Sequence, residues 1–239
     1  MNQILQIYNK LFCLYGPQGW WPLQELDNTR PISITKSGSL KGYHPGDYSY
    51  PKNKDQIFEI CLGAILTANT AWTSVDKALA NLKCVRALAF DRVKNIEIKQ
   101  LKECIKPAGY YNQKAIYIRE FTKFFNKLGN KIPKRDELLK VKGIGNETAD
   151  SMLLYAFKQP EFVVDAYTRR IFTHLKIIKE NSTYNEIKEI FQKNLPKDIR
   201  LCQEYHALLV EHSKRYYSRK PYGANDTVLK RLSCKLTDS

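Results

Sequence analysis

Two features of this chain have residue types and spacing suited to chemistry. The first is Asp165, which follows Phe162-Val163-Val164 and precedes a helical stretch carrying Arg169 and Arg170. In a purely structural role it is a helix N-cap. In a chemical role it is a fixed anion at the positive end of a helix, able to stabilise a developing positive charge or to act on an attacking water. The second lies in residues 135–158, RDELLKVKGIGNETADSMLLYAFK, where two helical segments flank Gly143-Ile144-Gly145. Glycines let the backbone turn tightly and approach a ligand closely. A helix starting just after Gly145 presents free N–H groups and its positive dipole end, a ready anion site. Ile144 is placed to plug the seam between the two helices. An ordinary helical hairpin would also use a Gly-x-Gly turn, but the pattern Leu-x-x-Val-x-Gly-Ile-Gly-x-x-Thr-Ala-Asp is far more specific.

The elements that must hold these residues read as helices. Apolar positions recur at helical spacing in Ile57, Phe58, Cys61, Leu62, Ile65 and Leu66, in Val75, Ala78, Leu79 and Leu82, and again from Ile116 to Leu128. The pattern continues through Met152–Ala156, Ile171–Leu175, Ile187–Phe191 and Leu201–Val210. Ile32-Ser33-Ile34-Thr35 is the only short strand candidate, so the fold class is all-α. Residues 27–53 are polar and rich in Gly, Pro and Tyr, and read as a long loop or insertion.

Composition narrows the partners. The chain has 239 residues, 43% of them hydrophobic, enough for a real core. Lys and Arg number 39 against 24 Asp and Glu, a formal net charge of +15. That surplus draws the protein toward polyanions. No stretch approaches the ~20 apolar residues that span a bilayer, and the N-terminus lacks the features of a signal peptide, so a cytoplasmic protein with no membrane partner is expected. The six cysteines, Cys13, Cys61, Cys84, Cys104, Cys202 and Cys234, show no C-x-x-C spacing, which argues against zinc or iron–sulfur ligation.

LLKVKGIGNETADSMLLYA followed by FVVDAYTRRIF resembles the helix-hairpin-helix, Gly/Pro-rich-loop and Asp signature of the endonuclease III superfamily of DNA glycosylases. The resemblance continues in Gly109-Tyr110-Tyr111-Asn112-Gln113-Lys114-Ala115 and in Phe58 to Thr70, and spans roughly residues 54–222. It implies a two-lobed helix-hairpin-helix fold: 54–158 as one lobe, 1–26 with 159–239 as the other, and 27–53 uncovered. It further implies that Lys142, Gly143 and Gly145 bind a DNA phosphate. A Na+ or K+ ion on the carbonyls of Leu139, Val141 and Ile144 is implied as a structural accessory, and no cofactor is required. Lys140 is read as a further phosphate contact.

The same resemblance assigns Asp165 as the catalytic carboxylate beside the deoxyribose, which becomes positively charged as the N-glycosidic bond breaks. Bifunctional members carry a Schiff-base Lys where this chain has Glu147, which implies a monofunctional enzyme with water as nucleophile. Residues 212–221 resemble the run that leads into an iron–sulfur cluster, but the first three cysteines are absent and Cys234 alone cannot hold one. The C-terminus is therefore expected to be held by packing or a side-chain network, with Lys220 a candidate member. Gly19-Trp20-Trp21-Pro22, Glu147 and the missing cluster together resemble the bacterial 3-methyladenine DNA glycosylases. By that likeness Trp20 and Trp21 stack on the extruded base, although as bare residues they read equally as core. Asn69, framed by Ala68 and Thr70, sits where the family fills the hole left by the base, and Trp72 is near enough to share that role.

The expectation is a DNA repair glycosylase acting on damaged double-stranded DNA, with an alkylated purine as substrate. The chain would act as a cytoplasmic, nucleoid-associated monomer. Two alternatives stand beside it: a uracil or thymine mismatch glycosylase, with or without AP lyase activity, and a non-catalytic DNA-binding protein that kept the hairpin.

Overall fold

In the computed structural model, residues 2–26 and 41–230 are described. Among these the architecture is helical with no strand, as the periodicities predict; the strand candidate Ile32–Thr35 lies outside the described residues. Helix α1 (Gln3–Tyr15) is followed by α2 (Lys54–Leu66), α3 (Trp72–Cys84), α4 (Phe90–Asn95), α5 (Ile98–Ile105) and α6 (Tyr111–Leu128). Next come α7 (Arg135–Leu139), α8 (Asn146–Ser151), a π-helical turn (Met152–Ala156), α9 (Ala166–His174), α10 (Tyr184–Asn194) and α11 (Ile199–Tyr216).

Local chemistry sets the helix starts. Asn2, Asn53, Thr183 and Asp198 each accept a backbone N–H with their side chains at the N-termini of α1, α2, α10 and α11, satisfying donors a helix end otherwise leaves open. Helices α2 to α6 pack on one another, and α1, α9, α10 and α11 pack together. The π turn touches both groups, meeting α2 on one side and α11 on the other. Its residues are all buried, so the hairpin's second helix runs straight into the shared core.

Two tie-downs complete the frame. The first involves the polar stretch before α2, whose described part (41–53) is a loop laid along the Trp20–Trp21 segment. The Leu23 N–H donates to Gly42 O and the His44 N–H to Gly19 O, and His44 Nε2 bonds the Trp21 carbonyl at 3.0 Å. Tyr43 and His44 are buried, so this part of the loop belongs to the core. The second is at the C-terminus. His212 Nδ1 meets Tyr15 Oη at 2.9 Å and its Nε2 meets Asp226 Oδ2 at 2.9 Å. Tyr217 donates to the same Asp226 oxygen at 2.8 Å, and Asp226 Oδ1 accepts the N–H groups of Val228 and Leu229. This buried network is the expected anchor for the C-terminal stretch. Lys220 is exposed and stands outside it, which corrects the expectation for that residue: a flexible ammonium is costly to bury, whereas Asp226 at 1% exposure has donors enough.

No helix among the described residues is long and apolar enough to cross a membrane.

Candidate active site

The hairpin forms where the spacing placed it. Gly143 adopts φ 90° and Gly145, at φ −95°, precedes α8. Ile144 is buried between the helices, its N–H donating to Val141 O at 3.1 Å. Lys140, Lys142, Gly143 and Gly145 are exposed on the outer side of the turn. Leu139, Val141 and Ile144 lie within it, so their carbonyls belong to one tight loop. Gly143 is required twice over, because a Cβ there would sit 2.1 Å from the Tyr117 ring and φ 90° is left-handed territory. Gly143→Ala is therefore expected to cost about 1–3 kcal/mol from overpacking, a fall in Tm of roughly 2–12 °C. Gly145→Ala, whose Cβ meets nothing within 4 Å, serves as the nearly silent control in the same thermal melt.

A buried ionic knot fixes the hairpin to the rest of the protein. Asp150 on α8 is fully buried and accepts Arg135 Nε at 2.8 Å and Arg135 Nη2 at 3.2 Å, a bidentate fork from α7. Lys188 Nζ on α10 reaches Asp150 at 2.8 Å and Glu161 at 2.5 Å. Tyr184 donates to Asp150 Oδ2 at 2.8 Å, and its oxygen lies 3.4 Å from the Val164 N–H. The residue before Asp165 is thus bonded to the same cluster as the hairpin.

Asp165 fulfils the structural reading and also lines the cavities at this face. It caps α9: Oδ1 accepts the Thr168 N–H at 2.7 Å and the Thr168 hydroxyl at 2.8 Å. Its other oxygen, Oδ2, faces His206 Nε2 at 3.7 Å. Holding one oxygen at the helix N-terminus aims the other, and both cavities at this face are lined by Asp165. The first, about 160 Å³, is walled by Trp20, Trp21, Trp72, His206 and Lys214. The second is an open cleft of about 620 Å³ that includes Asn69, Tyr167 and Arg170. They meet along Thr67, Thr70, Glu147, Ser151 and Asp165. A cavity of ~150 Å³ holds a benzene-sized ring, so the inner one admits a planar heterocycle.

Trp21 is buried at 5% exposure, and Trp20 and Trp21 both line the inner cavity. Trp72 is a correction. It packs edge-on against Trp21, ring centroids 5.3 Å apart, and lines the inner cavity, whereas Asn69 lines only the outer cleft. A two-residue turn separates them, and α3 begins at Trp72 with that indole turned inward. Asn69 is exposed at φ 54°, a left-handed conformation Asn tolerates. Its loop is tied down by Lys114, whose Nζ donates to Leu66 O, Thr70 Oγ1 and Ala108 O at 2.6–2.9 Å. The same tie carries the loop that ends in Tyr110, a tyrosine 75% exposed.

His206 went unnoticed in the sequence. It reads there as one apolar-face position of α11, with no motif around it. In the structure it stands edge-on to Trp20 at 5.6 Å, and its Nδ1 bonds Tyr155 Oη at 2.7 Å. Burial holds its imidazole below the usual value, opposed by the Asp165 carboxylate. Glu147 is an exposed residue that lines both cavities beside Asp165. Desolvation, then the Asp165 charge, push its carboxyl up to about 7 against a lowering by Arg169.

Comparison with known proteins gives this arrangement a context. Residues 62–197 match the HhH-GPD superfamily of base excision DNA repair proteins. The chain is 42% identical to a Methanocaldococcus jannaschii protein named as a DNA repair glycosylase, over 92% of this chain and 90% of that one. It is 32% identical to endonuclease III of Sulfolobus acidocaldarius, over 69% of this chain and 76% of that one. Among solved structures, the H. pylori 3-methyladenine DNA glycosylase bound to 1,N6-ethenoadenine superposes with a TM-score of 0.67 at 26% identity, covering 90% of this chain and 98% of that one. A thermostable thymine-DNA glycosylase shares the fold at a TM-score of 0.69 and 18% identity, covering 96% of this chain and 94% of that one.

Proposed function

The chain belongs to the HhH-GPD superfamily of base excision DNA repair proteins, and from that premise we propose that it is a monofunctional DNA glycosylase for alkylated purines such as 3-methyladenine. The observation that carries this reading is the tryptophan-walled cavity opening onto Asp165. A base alkylated at a ring nitrogen carries positive charge and a weakened glycosidic bond. Stacking on the indole faces favours such a cation by ~0.5–2 kcal/mol. The H. pylori neighbour is a 3-methyladenine glycosylase seen with 1,N6-ethenoadenine, which supports a modified adenine as the base for this cavity.

The mechanism follows from the geometry. The target base leaves the stack and enters the inner cavity, while the sugar and its phosphates remain in the outer cleft. Asn69 stands at the mouth of that cleft to fill the gap in the duplex. The hairpin grips a phosphate through the N–H groups beside Gly143 and Gly145, with Lys142 adding charge. A monovalent cation would be held by the carbonyls of Leu139, Val141 and Ile144; Val141 O already accepts one N–H and keeps a second lone pair for it. Such an ion would supply positive charge behind the phosphate-binding turn. Asp165 then stabilises the cationic sugar and draws the proton from water as it adds to C1′. Glu147 replaces the amine a lyase needs, so the strand is left intact.

A base-release panel tests this reading. Purified protein is incubated with methylated, deaminated and oxidised duplexes, and free base is measured alongside strand scission. Release of 3-methyladenine with no cleavage before alkali is expected. Release of uracil from a U·G duplex in place of 3-methyladenine would favour the mismatch class, and binding without release of any base would favour a DNA-binding module. Borohydride trapping checks the amine chemistry, with Lys214 in the cavity wall the first lysine to examine.

A further inference from the structure

The mechanism above leaves a second carboxyl in the site without a task. Glu147 lines both the inner cavity and the outer cleft, each time together with Asp165. The two acids are differently committed. One oxygen of Asp165 is occupied by Thr168, whereas the Glu147 carboxyl has no hydrogen-bond or ion-pair partner among the described residues. The charged and titratable groups around it are Asp165, Tyr167, Arg169 and Arg170 from α9 and its cap, Tyr184 from α10, and His206 and Lys214 from α11. Its carboxyl, pushed up to about 7 by desolvation and by Asp165, retains its proton over part of the neutral range.

We propose that Glu147 is a second catalytic residue, a general acid that protonates the departing base and extends the enzyme to neutral purine lesions. This rests on the glycosylase reading above. A cationic base such as 3-methyladenine departs as a neutral molecule and needs no proton. A neutral purine departs as an anion unless a ring nitrogen is protonated first. In the proposed step the Glu147 O–H bond breaks and the proton passes to an acceptor nitrogen of the purine. The electron pair of the C1′–N9 bond goes to the ring as that bond breaks, and the cationic C1′ is left facing Asp165. Water adds to C1′, its proton passes by way of Asp165 to solvent, and Glu147 regains a proton from solvent. One water is consumed, and one neutral base and a 1′-hydroxyl are released. Two carboxyl groups on one pocket, one hydrogen-bonded to Thr168 and the other unpartnered, are the arrangement expected of an acid–base pair.

The test compares Glu147→Gln with wild type on two duplexes, one carrying 3-methyladenine and one carrying hypoxanthine, a neutral purine. Glutamine keeps the shape and loses the acidic proton. Single-turnover release of hypoxanthine is expected to fall by about 10²-fold or more in the variant, within the range of general acid catalysis. Release of 3-methyladenine should fall far less than release of hypoxanthine, and an unchanged thermal melt shows that the variant is folded. In wild type the hypoxanthine rate should drop about tenfold per pH unit above about 7, the 3-methyladenine rate should not, and the variant should lose that dependence. Equal loss on both substrates, no loss on hypoxanthine, or release of 3-methyladenine alone by wild type would overturn the inference and leave the functional reading standing. Release of neither base by wild type would overturn both.

Discussion

Asp165→Asn is expected to lower single-turnover base release by at least about 10²–10³-fold, with affinity for the damaged duplex within a few-fold of wild type. The substitution isolates charge from structure. Asparagine is as good an N-cap as aspartate, so its carbonyl oxygen can keep both bonds from Thr168 and hold α9 in register. What it loses is the anion on the oxygen aimed toward His206 and the cavities. A neutral amide stabilises the cationic sugar poorly and cannot take a proton from water. Unchanged release would mean that Asp165 is only a helix cap. A parallel loss of binding and melting temperature would mean that the cap had been disturbed and the charge not tested.

The second large effect is on stability. Asp150→Ala should lower stability by about 3–5 kcal/mol, a fall in Tm of roughly 6–20 °C for a chain of this size. The reason is the asymmetry of a buried ion cluster. Bringing Asp150 out of water is costly, and three donors, Arg135, Lys188 and Tyr184, offset that cost. Removing the anion leaves Arg135 partly buried with Asn146 as its remaining neighbour, and Lys188 with Glu161 alone. Because Tyr184 also lies beside the Val164 N–H, the loop that presents Asp165 should loosen with the hairpin. Calorimetry measures the first effect. Base release well below the melting range measures the second. A loss of less than about 1 kcal/mol would show the knot to be a surface-like ion pair.

The two substitutions bear on different parts of one unit. In the proposed mechanism Asp165 acts on reacting atoms, whereas Asp150 ties the hairpin to the loop that carries Asp165. Both stand in the sequence, Asp150 eight residues after Lys142 and Asp165 nineteen after Asn146, but only Asp165 announced a role. Asp165 follows a short apolar run and opens a helix, a position with few purposes. Asp150 closes the hairpin pattern, in the polar helix α8, with no role of its own attached to it. Nothing local says that Arg135, Lys188 and Tyr184 converge on it from α7 and α10.

The same contrast separates the rest of the site. The sequence by itself determined the helical class, through the 3.6-residue recurrence of apolar side chains, and the hairpin turn, through glycines whose conformation no other residue adopts cheaply. It also marked Asp165, and by resemblance to the superfamily it put a carboxylate, Glu147, at the position of the Schiff-base lysine. These are properties of short segments, decided by backbone geometry and residue type within a few turns. Tertiary structure alone decided the remainder. It brought Trp20 and Trp21 from the N-terminal segment against His206 of α11, and it turned Trp72 into the cavity wall and away from Asn69. It laid the polar loop across the tryptophan segment. It also closed the C-terminal stretch on His212 and Asp226, leaving Lys220 in solvent. Above all it placed Glu147 and Asp165 in one pocket with different surroundings. Whether two carboxyl groups share a proton economy depends on burial and on each other's charge, and both are set by which helices pack together and not by the eighteen positions between them in the chain.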